Sequence, residues 1–226
     1  MMSLRRMLDR LLAEYGPQGW WPLLEVDGEN PTRTGSCTAY HVGVYDYPRT
    51  RRQRVEICVG AILTQNTAWP NVEKALHALH ELGALDVEAL LKLPVSELAA
   101  AIRPSGYFNI KARKLTCLAE FLVALGERTP SRAELLGVWG IGPETADSIR
   151  LYAYSEPEMV VDAYTRRILC HLGVVEEKIG YDALKRICEE DIPPDVVLRQ
   201  EFHALLVEHA KRNYGRRPYR DPLFEP

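Results

Sequence analysis

The sequence predicts an all-α protein, and three observations carry that reading. From Val55 onward apolar residues recur at spacings of three and four, as in Val72, Ala75, Leu76 and Leu79, or Leu115, Leu118, Ala119 and Leu122. The breaks between these stretches are helix punctuation: Gly83, Thr129-Pro130-Ser131, Gly173 and Ile192-Pro193-Pro194-Asp195. The connections are short, which predicts a compact bundle, and no internal repeat or low-complexity tract interrupts it.

The totals exclude several classes. A chain of 226 residues with 46% hydrophobic content buries one large core or two modest ones. Charge breaks every long apolar stretch, so no membrane span is expected. MMSLRRMLDRLLAEYG is amphipathic and lacks an apolar signal core, so a cytoplasmic protein is expected. Cys37, Cys58, Cys117, Cys170 and Cys188 are scattered without a CxxC pair, as suits reduced thiols rather than a metal site. The net charge of -3 hides two basic runs, PRTRRQR with Arg49, Arg51, Arg52 and Arg54, and KRNYGRRPYR with Lys211, Arg212, Arg216, Arg217 and Arg220. Each is either a solvated surface or a phosphate contact.

In chain order, the N-terminal stretch is followed by a segment, residues 23–54, rich in Gly, Pro, Thr, Tyr and Arg without a helical period. It predicts a long loop, kept ordered by Tyr40, Tyr45 and Tyr47. Helical patterns then run to LLGVWGIGPETADSIRLYAY, where Gly140-Ile141-Gly142-Pro143 joins two of them. This reads as helix, tight hairpin, helix: two glycines for the turn, Pro143 in the first turn of the second helix, and Ile141 as a core plug. A helix N-terminus behind a glycine turn suits a phosphate of a DNA backbone, so Gly140, Ile141, Gly142 and Thr145 are candidate DNA-binding residues. Twenty positions after Gly142, Asp162 precedes the pattern AYTRRIL, where an aspartate is a favoured helix cap.

With GAILTQNT, RPSGYFNIKARKL and MVVDAYTRRIL at their spacing around the hairpin, the chain resembles the endonuclease III superfamily of helix-hairpin-helix DNA glycosylases over most of its length. It is most similar to the 3-methyladenine glycosylase branch, which shares WWP near the N-terminus. The resemblance implies two helical lobes with the pocket between them, one spanning 55–154 and the other built from 1–54 plus 155–226, with 23–54 as an insertion. Members that nick the strand carry a lysine nucleophile in the second hairpin helix, where this chain has Glu144, and many hold an iron-sulfur cluster on four late cysteines, of which none follows Cys188. A metal-free, cofactor-free glycosylase that uses water is therefore implied. Asp162 matches the catalytic aspartate, which stabilises an oxocarbenium-like sugar or orients water.

An N-alkylated purine is a cation and a good leaving group, so its recognition falls to electron-rich rings. Trp20, Trp21, Pro22 and Trp69 match the family's base pocket, although core packing would use one tryptophan equally well. Glu144 would set a negative charge near the cation, and Lys211 in EFHALLVEHAKRN matches a pocket lysine that pairs with Glu144, is modified, or points at phosphate. Gln65 matches the residue that fills the space left by a flipped base, and is otherwise an amide at a helix end. The implied partner is duplex DNA containing a damaged base, met by a monomer at the nucleoid. Two other readings stay open: a glycosylase for an oxidised, deaminated or mismatched base, and a non-catalytic DNA-binding protein of the same hairpin class.

Overall fold

A computed structural model describes residues 3–31 and 39–225, among which all regular structure is helical. The order is α1 (Leu4–Tyr15), α2 (Arg51–Leu63), α3 (Trp69–Glu81), α4 (Val87–Lys92), α5 (Val95–Ala101), α6 (Phe108–Leu125), α7 (Arg132–Leu136), α8 (Pro143–Ser148), α9 (Ala163–His171), α10 (Tyr181–Asp191) and α11 (Val196–Asn213). A π-helical segment, Ile149–Ala153, continues α8.

The helices start where side chains satisfy free backbone N–H groups. Ser3, Thr50, Asp86, Ser131, Asp162 and Asp195 each cap a helix by accepting from a first-turn N–H. At α7 the cap is reciprocal, because Glu134 reaches back to the Ser131 backbone. Thr50 also moves a boundary: α2 begins at Arg51, four residues before Val55, so the expected loop is shorter at its C-terminal end. The basic run there is helical surface. Arg51 pairs with Glu88 and Glu127, Arg52 with Glu25, Arg54 with Glu127, and Arg49 just outside with Asp46.

Apolar side chains gather into two clusters. The first joins α2 to α8, the π segment and Val160, and includes Trp20, Trp21, Leu23, Val26 and Tyr40. The second joins α1, α9, α10 and α11 with Met159 and Val161. Consecutive residues Met159, Val160 and Val161 thus point alternately into the second, first and second clusters, as an extended strand of chain does. Within 1–54, α1 packs in the second cluster while Trp20, Trp21, Leu23, Val26 and Tyr40 pack in the first.

The described part of the long loop is tied down at both ends. Leu23 N–H donates to Ala39 O at 2.8 Å, Ala39 N–H to Val26 O at 2.8 Å, and Leu24 N–H to the buried Glu56 carboxylate at 2.7 Å. The His41 ring spans the carbonyls of Val44 and Trp21 at 2.7 and 2.9 Å. At the other end of the chain Asp221 accepts from the Tyr214 hydroxyl at 2.6 Å and contacts His209 Nε2 at 2.9 Å, holding the tail against α11.

Candidate active site

The hairpin is fixed from three sides. Gly140 has φ +90°, a left-handed value that glycine tolerates, and a Cβ there would fall 2.4 Å from the Lys114 side chain. Gln65, just past α2, donates to Gly140 O at 3.2 Å and to the Thr145 hydroxyl at 3.0 Å, while its own carbonyl accepts from Lys114 Nζ at 2.5 Å. Gln65, which the sequence offers either as a wedge in the duplex or as an amide at a helix end, is thus engaged with the hairpin, and the Thr145 hydroxyl accepts from it. Ile141 is buried in the first cluster. No side chain caps α8, which begins at Pro143 with Gly142 as N-cap residue. Beneath it, the fully buried Asp147 accepts from Arg132 Nε at 2.7 Å and the Tyr181 hydroxyl at 2.9 Å, and pairs with Lys185 at 3.0 Å. That network docks the hairpin on α10.

Asp162 caps α9 beside this helix. Its Oδ1 accepts from the Thr165 backbone N–H at 2.7 Å and the Thr165 hydroxyl at 3.0 Å, and its Oδ2 lies 3.7 Å from His203 Nε2 on α11. Burial pushes the Asp162 carboxyl up, but His203 and Thr165 together outweigh it and hold the group below its ordinary value. Asp162 is a carboxylate at neutral pH.

Glu144 faces the same space from α8. Its residue surface keeps an exposed flank, yet surrounding protein withdraws water from the carboxyl; that desolvation, then the charge of Asp162, push it up to about 7 against His203 and Arg166. Burial draws the Lys211 ammonium down, opposed by the charges of Glu208 and Asp162. Among the described residues Lys211 and Glu144 form no ion pair; the negative charges acting on the lysine are those of Glu208 and Asp162.

The three tryptophans form one cluster. Ring centroids are 5.4 Å apart for Trp20 and Trp69, 5.6 Å for Trp20 and Trp21, and 5.7 Å for Trp21 and Trp69. Trp21 lies over Gly60 of α2, where a Cβ would sit 3.1 Å from the indole, and its ring meets Tyr152 at 5.3 Å. Trp20 meets the edge of His203 at 6.2 Å, which places the cluster beside the histidine that faces Asp162. Pro22 is buried behind it. Trp20 and Trp69 retain 9% and 8% exposure, so the rings fill their own cage.

Residue-pattern reasoning missed His203, Tyr152 and Arg166. A signal was present: His203 precedes Lys211 by eight positions, slightly over two helical turns, so both lie on one face of α11. Beside the site, a groove of about 780 Å³ runs along α9 between Arg166, Arg167 and His171 and the tail residues Arg217 and Tyr219. Among the described residues no set of three His, Cys, Asp or Glu side chains converges on a metal position, and no helix is long and apolar enough to cross a membrane.

A helical protein with a glycine hairpin, a helix-capping aspartate and an aromatic cage at the seam of two cores has the endonuclease III-like fold. The chain superposes on an endonuclease III–DNA complex with a TM-score of 0.73 at 19% identity, covering 99% of this chain and 94% of that one. It superposes on the Helicobacter pylori 3-methyladenine DNA glycosylase bound to 1,N6-ethenoadenine with a TM-score of 0.72 at 26% identity, covering 93% and 98%. A Methanocaldococcus jannaschii protein assigned as a DNA repair glycosylase is 38% identical over 213 residues, 89% of this chain and 84% of that one. Residues 59–194 match the HhH-GPD superfamily base excision DNA repair protein family, and the chain belongs to that family.

Proposed function

We propose that this base excision repair protein is a monofunctional DNA glycosylase that flips a damaged, N-alkylated purine out of duplex DNA and releases it by attack of water at the sugar. The observation that carries the reading is the ionised Asp162 carboxylate, with one oxygen held by Thr165 and the other 3.7 Å from His203, whose ring meets Trp20 of the tryptophan cluster. A fixed negative charge next to the anomeric carbon stabilises an oxocarbenium-like transition state, with its positive charge on the sugar, more than the ground state, in which that charge sits on the base, and it orients the attacking water. An alkylated purine leaves as a neutral base, so no general acid is required on its far side.

The cage supports a flat cationic base. Each ring stacked on it contributes about 0.5 to 2 kcal/mol. To sandwich a base, two rings stand about 7 Å apart, whereas Trp20 and Trp69 are 5.4 Å apart. Base entry therefore parts these rings. Glu144 adds attraction for the cation in its ionised form, and the likeness to the H. pylori enzyme at 26% identity over 93% of the chain supports this substrate class.

Glu144 cannot form an imine with an opened sugar, which supports a water mechanism. The feature favouring a second, strand-nicking reading is Lys211, an amine drawn down by burial and within the field of Asp162. One experiment separates the readings: mass spectrometry of bases released from duplexes carrying alkylated, oxidised, deaminated or mismatched bases, with borohydride trapping in parallel. Free 3-methyladenine and no covalent adduct are expected. Release of another base alone overturns the substrate class, an adduct lost in Lys211→Gln overturns the water mechanism, and binding without any release leaves the non-catalytic reading.

A further inference from the structure

The reading above uses Asp162 but leaves unexplained the buried polar pair behind it. His203 and Tyr152 are 6% and 1% exposed. His203 presents Nε2 to Asp162 Oδ2 at 3.7 Å and Nδ1 to the Tyr152 hydroxyl at 2.7 Å. That hydroxyl has a single proton and two acceptors within reach, Nδ1 and the Gln200 carbonyl at 3.3 Å. A carboxylate can only accept, so the ring proton sits on the Nε2 that faces it, and Nδ1 accepts from the Tyr152 hydroxyl. Tyr152 reaches His203 because it lies on the π-helical segment, whose wider turn displaces it from the register of α8. Gln200 locks the same segment to α11 by donating from Nε2 to Leu151 O at 3.3 Å.

We propose that His203 is a positioning residue for Asp162, its tautomer set by Tyr152, and that it aims Oδ2 at the cleft and keeps it ionised. The proposal rests on the reading of Asp162 as the reacting carboxylate. Thr165 occupies only Oδ1, and the group that stands at Oδ2 is His203. The charged and titratable groups around the pair are Glu144 on α8, Arg166 on α9, and Glu201, Glu208 and Lys211 on α11. Glu144 is protonated up to about pH 7 and adds no charge where Asp162 titrates, while Lys211 and Arg166 are cations on α11 and α9. His203 is the partner that offsets burial directly.

The test is a ¹³C NMR titration of the Asp162 carboxyl in the full chain without DNA, for wild type, His203→Phe, His203→Gln and Tyr152→Phe, alongside single-turnover base release against pH. His203→Phe is expected to raise the Asp162 midpoint by about one pH unit and to slow release on the acid side by about tenfold or more. The acid limb of the profile moves to higher pH. His203→Gln, which keeps a donor at the Nε2 position, restores most of both, and Tyr152→Phe falls between. In an Asp162→Asn background His203→Phe has no further effect. Circular dichroism checks folding, and His203→Asn, too short to reach the carboxylate, replaces the phenylalanine variant if that one does not fold. An unmoved midpoint, or an equal loss with and without Asp162, overturns the proposal. If the wild type releases no base, the functional reading fails while the carboxyl titration still decides the role of His203.

Discussion

Asp162 and Glu144 are two carboxyls at one cleft, driven apart by their surroundings. Thr165 and His203 hold the first ionised, and desolvation plus that very charge keep the second protonated up to about pH 7. Asp162→Asn is expected to reduce base release by roughly a hundred- to a thousandfold in single-turnover assays, with DNA affinity retained. Glu144 gains its charge as pH rises through about 7, so kcat/KM for a cationic base rises across that range. Glu144→Gln flattens the rise. Glu56 makes the stability counterpart: burial pushes its carboxyl from 4.5 up to about 7 despite the Leu24 N–H. The folded form keeps a proton there that the unfolded chain has already lost, so stability falls as pH climbs through that window. Glu56→Gln, which still accepts from Leu24, is expected to be more stable than wild type by about 2 to 3 kcal/mol at pH 8. Urea melts at pH 4.5 and 8 check this, with the difference vanishing at the lower pH.

At the scale of the element, the hairpin glycines are not equivalent. Gly140 is required by its left-handed φ and by Lys114, whereas a Cβ on Gly142 would point into open space. Gly140→Ala is expected to cost about 1 to 2 kcal/mol in thermal or urea unfolding. Gly142→Ala should leave stability within about 0.5 kcal/mol yet weaken binding to undamaged duplex, because on the proposed reading its Cβ would stand where a phosphate approaches. Equal effects on unfolding would refute the distinction. Much of this element was legible: Gly-Ile-Gly-Pro announces a tight turn into a helix, and Asp162 announces a cap. The π segment was not, since RLYAY carries an ordinary helical pattern and the segment's partners, Gln200 and His203, lie on α11 about fifty residues on. The start of α2 was hidden for a different reason. Four arginines in six positions look like a solvated run until Glu25, Glu88 and Glu127 arrive from elsewhere in the chain to pair with them.

Over the whole molecule, periodicity and punctuation made the all-helical fold readable, but the assembly of the site was not, because it depends on contacts across long stretches of chain. Trp20 meets Trp69 and His203, and Gln18 and Tyr45 both bind the Glu201 carboxylate, pairings that span 49 to 183 positions. The same holds for charge. The basic run before Val55 is neutralised by carboxylates from elsewhere in the chain, while the groove along α9 is lined by Arg166 and Arg167. The salt dependence of duplex binding is expected to lose about 1 in the slope of log K against log salt for Arg166→Gln, and to be unchanged for Arg52→Gln. Filter binding across a salt series measures both. The hairpin has its shape because Gln65 from the end of α2 and Lys114 from α6 hold its carbonyl and its flank. It is consequently not a portable cassette. Residues 132–153 transplanted into another helical scaffold would leave behind the two side chains that define the turn, so the grip on a phosphate would have to be transferred as three separated segments or not at all.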